Sequence, residues 1–339
     1  MSGWKKASRL LPLFGAVILA LTGCGDPYLS ALDPKGPVAE AQLSLVMLSF
    51  YIMVGVFVVV MVIFTYVLIK FRKRPGQNGV PKQVEGNHKL EIIWTVIPIL
   101  LLLILAVPTV ITTFHLSEKK TGDDVLKVKV TAHQFWWEFE YPDLGLATGQ
   151  DLYIPTGKRI EFELTSADVI HSFWVPALAG KTDTNPGQTN HMWMQADQPG
   201  VYKGKCAELC GPSHALMDFK VVAVTPFDFK SWADKMKAAV NRQPTTATAQ
   251  QGAQVFQQNC IGCHAIAGKG GKLGPNLTAF GDRDKVAGIL EFKKENIQRW
   301  IKSPQEVKPG NKMPSFGGKL SDQDISNLAD YLQTLKVIK

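Results

Sequence analysis

Charge is missing from two long stretches of this sequence. Neither Gln42–Ile69 nor Ile92–Phe114 contains an Asp, Glu, Lys or Arg, which excludes an ordinary water-soluble domain for either. At about 1.5 Å rise per residue, each is long enough as a helix to cross a ~30 Å hydrocarbon core. Pro98 and Pro108 in the second stretch are tolerable there, because neighbouring groups re-satisfy the carbonyls they free. Histidine is also scarce. Seven in 339 residues exclude any architecture built on rings of histidine. The five cysteines reduce to two close pairs once Cys24 is set aside.

The charge that is present is unevenly placed. Hydrophobic residues make up 46% and charged residues 19%, so membrane and water-exposed parts share one chain. The net charge of +8 is divided as −3 over residues 118–240, +5 over 251–339 and +6 over the rest of the chain. An acidic middle beside a basic tail suggests two modules that dock on each other, with scattered surface lysines as the plain alternative. Nucleic acid is the weaker reading. Between the apolar stretches, Lys70, Arg72, Lys73, Arg74, Lys82 and Lys89 mark a cytoplasmic loop by the positive-inside rule. The N-terminus and everything after His115 then face outward. At the start, Lys5, Lys6 and Arg9 precede an apolar run from Leu10 to Leu21, the shape of a signal sequence. Its end, "LTGC", resembles a bacterial lipobox, which implies cleavage before Cys24 and a diacylglycerol on its sulfur; a chance cysteine is the alternative. The expected divisions are a signal peptide (1–23), a lipidated segment (24–41) and a transmembrane helical hairpin (42–115).

Residues 125–224 read as β structure. "VLKVKV" alternates, "FWWEFEY", "RIEFEL" and "HMWMQA" are aromatic or branched, and Gly, Pro and Asp punctuate them. Many short strands suggest a sandwich or barrel. Within them lies "CAELCGPSHALM" (206–217). A Cys206–Cys210 disulfide is open in an oxidising compartment. Zinc favours four nitrogen or sulfur ligands and gains nothing from a methionine. Thiolate, imidazole and a weak thioether together suit copper in electron transfer. A further imidazole, His171, ends a strand-like run 35 residues upstream of Cys206.

With His171, this set resembles the binuclear copper A centre of cytochrome c oxidase subunit II, matched at Cys206, Glu208, Cys210, His214 and Met217. The resemblance implies that both thiolates bridge two coppers. It implies that His171 and Met217 complete one copper's set, one histidine and one weak ligand going to each metal, with the Glu208 carbonyl as the other weak ligand beside His214. It also implies that the Glu208 side chain reaches a magnesium ion shared with subunit I. "HQFWWEFEY" (133–141) is similar to the family's aromatic strand, "KTD" (181–183) to another of its segments, and "EIIW" (91–94) to one where Glu91 lies at the mouth of a proton path. One departure is Phe135, where the family usually has the tryptophan that admits electrons. Trp136 follows it. His115, His133 and His191 fall outside the pattern and read as structural.

After a small, polar linker (238–250), "CIGCH" offers Cys260 and Cys263 to haem vinyl groups and His264 as an axial ligand. A zinc or redox pair is the alternative. "GPNL" (274–277) and "KMPSF" (312–316) resemble the class I cytochrome c pattern, implying that the Pro275 carbonyl orients His264 and that Met313 is the sixth ligand. Ser321 and Asp324 read as a capping box for a final amphipathic helix.

The expected architecture is a multidomain membrane protein. It comprises the hairpin, a cupredoxin-like copper A domain (116–237) and an all-α cytochrome c domain (251–339). The resemblance implies subunit II of a bacterial, membrane-bound cytochrome c oxidase. Its cofactors would be copper A, one covalent haem c and magnesium. Its partners would be subunit I, the other oxidase subunits, and a quinol–cytochrome c reductase or cytochrome c as donor. Nitrous oxide reductase shares the copper centre but needs the histidine-rich propeller this chain lacks. A lipoprotein copper carrier would need neither two spans nor a cytochrome.

Overall fold

The computed structural model describes residues 15–17, 25–76, 79–80, 83, 85–122, 124–239 and 243–338. The signal peptide and Cys24 fall almost wholly outside them.

The uncharged stretches form α1 (Pro37–Phe71) and α2 (His88–Ser117). Pro37 opens α1 where its missing N–H is harmless. The Asn87 side chain accepts from the Lys89 and Leu90 amides to cap α2, satisfying donors that a helix start leaves open. Within α1 and α2, the most apolar windows bury none of their residues in the protein. A helix apolar on every side and left uncovered is suited to lipid. The free ends of both helices rest on the next domain. Lys35 N–H donates to Ala177 O (2.7 Å) and Trp193 Nε1 donates to Leu116 O (3.0 Å). The basic loop lies at the opposite end of the hairpin.

Ten strands follow: β1 (Val125–His133), β2 (Trp136–Tyr141), β3 (Leu146–Gly149), β4 (Asp151–Pro155), β5 (Arg159–Ser166), β6 (His171–Trp174), β7 (Thr182–Thr184), β8 (Asn190–Met194), β9 (Gly200–Cys206) and β10 (Asp218–Val224). They make two five-stranded sheets, ordered β3-β2-β1-β5-β8 and β4-β10-β9-β6-β7. Pairing is antiparallel except β1–β5 and β10–β4. Alternate residues of β2, β5 and β10 are buried, as in a sandwich whose inner faces interdigitate. Phe173 and Phe219 stack within one sheet at 4.7 Å, and Trp137 of the other packs edge-on against Phe173 at 5.4 Å. Helix α3 (Pro226–Ala238) closes one end, with Trp232 stacked on Tyr153 at 4.6 Å.

The tail is helical: α4 (Ala247–Asn259), α5 (Lys294–Lys302), α6 (Pro304–Val307) and α7 (Asp322–Thr334). Thr246 caps α4, so the helix takes in the last residues of the 238–250 stretch. Helices α4 and α7 cross closely at Gly252, where a Cβ would lie 2.0 Å from Asn327 O. The Ser321–Asp324 capping box opens α7.

Candidate copper and haem sites

Strands β9 and β10 are antiparallel neighbours, with Lys205 opposite Asp218. Cys206 and Met217 therefore face each other at the mouth of the loop between them, where Cys206 N–H donates to Met217 O (3.2 Å). Gly211 turns that loop at φ 131°, a conformation L side chains disfavour. The turn returns Cys210 to within 3.8 Å of Cys206, sulfur to sulfur. Cys210 Sγ lies 3.6 Å from His214 Nδ1 and 3.8 Å from Met217 Sδ. Cys206 Sγ lies 3.2 Å from Glu208 O and 3.9 Å from His171 Nδ1. All six residues expected from the sequence thus converge, Glu208 through its carbonyl, while its side chain is exposed. His171 opens β6 rather than ending a strand, because Asp168 and Ser166 turn the chain just before it.

The electrostatics suit a cation. Cys206 is pulled down to about 3, first by the hydrogen bond from Cys210. Cys210 is pushed up in turn by that same partner and by burial. Burial opposes a charge on His171, but its hydrogen bonds to Asp168 and Cys206 raise it overall. Asp168 Oδ1 lies 2.9 Å from His171 Nε2, a contact that assigns the proton to Nε2 and leaves Nδ1 facing the sulfurs. Two sulfurs 3.8 Å apart, each with further donors on its flank, can be shared by two soft metal ions.

The second site is a cavity of about 340 Å³ lined mostly by the helical tail, where a protein interior would otherwise be close-packed. Phe256, Leu277, Phe280 and Leu332 line it, with His264 and Met313 among its walls. His264 Nδ1 donates to Pro275 O (2.9 Å), so Nε2 is free for a metal. Gly274 is needed for this approach, since a Cβ there would meet the ring at 2.6 Å. Burial lowers His264 and keeps it neutral, as a ligand must be. Cys260 and Cys263 are free thiols at the cavity's edge. An apolar slot with thiols, a neutral imidazole and a thioether fits a covalently held haem.

Sequence reasoning missed how the two sites meet. The cavity is also walled by His133, Gln134, Phe135 and Trp136 of the β domain. Phe135 is only 2% exposed, and His133, read as structural, stacks on Trp136 at 4.2 Å. Gln134 Nε2 donates to Cys210 O (2.7 Å), linking the cavity wall to the copper loop. Lys308 is buried and donates to Phe135 O (3.0 Å). Lys312 pairs with Asp168 (3.0 Å), Lys272 with Glu140 (3.4 Å) and Lys220 with Asp284 (2.5 Å). The expected docking of acidic middle and basic tail is present, although the last pair runs in the reverse sense.

Residues 30–111 match the family described as the transmembrane domain of cytochrome c oxidase subunit II, and residues 144–224 match its periplasmic domain. Residues 249–336 match cytochrome c. The chain is 52% identical to cytochrome c oxidase subunit 2 of Alkalihalophilus pseudofirmus, over 100% of both chains. It belongs to the cytochrome c oxidase subunit II family. Subunit 2 proteins of Bacillus sp. strain PS3 and Bacillus subtilis are 52% and 47% identical, each over 97% of this chain and 98% of theirs. This subunit II is a membrane protein carrying a cytochrome c domain, and these domains imply copper A and haem c. The family's general role is electron transfer to subunit I of a haem-copper oxidase.

Proposed function

We propose that this chain passes electrons from its own haem c to copper A and on to subunit I, where oxygen becomes water as protons are translocated. The observation that carries this reading is the shared wall: residues lining the haem cavity also touch the copper loop. His171, Cys206, the Glu208 carbonyl, Cys210, His214 and Met217 would hold the copper pair. Cys260 and Cys263 would tether haem c, with His264 and Met313 as axial ligands. When bound, these groups supply one-electron carriage. The chain's own work is positioning. The sandwich fixes the sulfurs, Pro275 and Asp168 fix the imidazoles, and the apolar cavity excludes water.

Phe135 and Trp136 are buried or half-buried against the tail, so in this reading they receive electrons from the chain's own cytochrome. A reductase or a soluble cytochrome c would then reduce the haem module. The exposed Glu208 side chain is suited to a magnesium ion shared with subunit I. The basic loop supports a cytoplasmic hairpin tip, with the copper and haem domains on the outer face of a bacterial plasma membrane. Cleavage after residue 23 would leave Cys24 as a lipid anchor. The working divisions are 24–41, 42–115, 116–237, 238–250 and 251–339.

A metal and haem count on the purified chain tests this. Two coppers and one covalent haem are expected; one copper without haem would instead indicate a copper carrier.

A further inference from the structure

Asp168 stands between the two sites. It lies in the turn joining β5 to β6, its side chain only 9% exposed. Its Oδ1 accepts from the Val169 amide (2.9 Å) and faces His171 Nε2 at 2.9 Å. Its Oδ2 accepts from the Gln134 amide (2.8 Å) and from Lys312 Nζ (3.0 Å). Lys312 lies 144 residues along the chain, immediately before Met313. One carboxylate therefore joins a copper-site imidazole to the cation beside the haem cavity's methionine.

We propose that Lys312, acting through Asp168, tunes the copper centre, so that docking of the cytochrome module makes copper A a better electron acceptor. The proposal rests on the copper assignment above. A carboxylate hydrogen-bonded to a metal-ligating imidazole raises its basicity as a donor. A donor strengthened in this way favours the more highly charged, oxidised metal. An ammonium 3.0 Å from the same carboxylate draws on its charge and weakens that effect, and in a partly buried setting the interaction is stronger than in water. With the module docked, His171 is a weaker donor and the copper potential is higher. With it undocked, Asp168 acts on His171 alone and the potential falls. Lys312 is a tuning residue here, acting through Asp168, and it also lines the haem cavity, so the haem c band is followed alongside the copper band. Its side chain is otherwise 67% exposed, so substitution leaves the core intact.

The test is a potentiometric titration of the full-length, metal-loaded chain, following the near-infrared copper band and the haem c band separately. Lys312→Gln should lower the copper midpoint, moving the electron partition severalfold toward haem, while Lys312→Arg should keep it near the original. A bare field effect of the lysine would give the same sign, so the decisive comparison is a double-mutant cycle. In an Asp168→Asn background, Lys312→Gln should shift the copper midpoint far less. The nitrogen hyperfine coupling of the His171 imidazole should change with Lys312→Gln only when Asp168 is present. Equal shifts in both backgrounds, or no shift with Asp168 intact, would overturn the proposal. Loss of the copper band from the unsubstituted chain would instead overturn the copper assignment.

Discussion

His171 and His264 are prepared alike. Each uses one ring nitrogen on a fixed oxygen, Asp168 Oδ1 or Pro275 O, both at 2.9 Å, and so presents the other to a metal. Cys210 lies at the centre of the proposed copper set, within 3.8 Å of Cys206, His214 and Met217. Replacing it by Ser should abolish the near-infrared copper band and leave the haem c spectrum intact; a normal band with two coppers retained would contradict this. Met313→Leu should remove the weak sulfur–iron band of the oxidised cytochrome and lower its potential. Persistence of that band would point to another methionine. Lys308 gives a pH dependence. Burial pushes its amine down to about 8 from an ordinary 10.5, against the pull of Asp218 and Cys210. Between those values the undocked module binds more protons than the docked one, so docking strengthens as pH rises through that window. The interdomain distance between two spin labels should show more of the docked state at higher pH, and Lys308→Met should flatten the trend. A docked fraction that falls with pH would contradict the account.

At the scale of elements, α2 separates two roles for Glu91. The cap of this helix is Asn87, while Glu91 lies in the first turn with His88 Nδ1 at 3.4 Å. Capping therefore does not need the Glu91 carboxylate, and an ionisable group at a membrane boundary is a functional candidate. Glu91→Gln and Glu91→Ala should both slow reduction of the oxygen-binding haem in the assembled oxidase, leaving haem c to copper transfer unchanged. Normal turnover in the Gln variant alone would return Glu91 to a structural role. In the tail, Gly252→Ala places a Cβ on Asn327 O at 2.0 Å. Overpacking of this kind costs about 1–3 kcal/mol, so the haem module should melt several degrees lower by calorimetry. The elements themselves were largely legible. Uncharged length marked α1 and α2, alternation marked β1, and aromatic or branched composition marked β2 and β5. His171 was misplaced at a strand end because Val169 and Ile170 are apolar yet 37% and 48% exposed, so they imitate a strand. The start of α4 was hidden because "TTATAQQ" reads as a polar linker until Thr246 is seen capping it.

Across the whole molecule, short motifs marked the centre of each site, and the resemblance they carry implied the more distant partners His171 and Met313. The junction between the two sites was not legible. Lys308 meets Phe135 across 173 residues and Lys312 meets Asp168 across 144, and nothing local marks either lysine as different from a solvated one. The regional charge sums gave only the sense of the docking, and Lys220–Asp284 runs against it. The arrangement as built places the cytochrome module over the aromatic wall of the copper domain, joined to it by a short segment before α4. The most direct test of the account is the rate of copper reduction after haem c is reduced by a light pulse, with the chain intact and after cleavage near Pro244. Among the described residues, three ion pairs join the two domains, and charges are screened over ~8 Å at physiological salt. In the intact chain the rate should be independent of protein concentration. After the cut it should fall, and fall further as ionic strength rises. Equal rates before and after the cut at every salt concentration would contradict an internal donor.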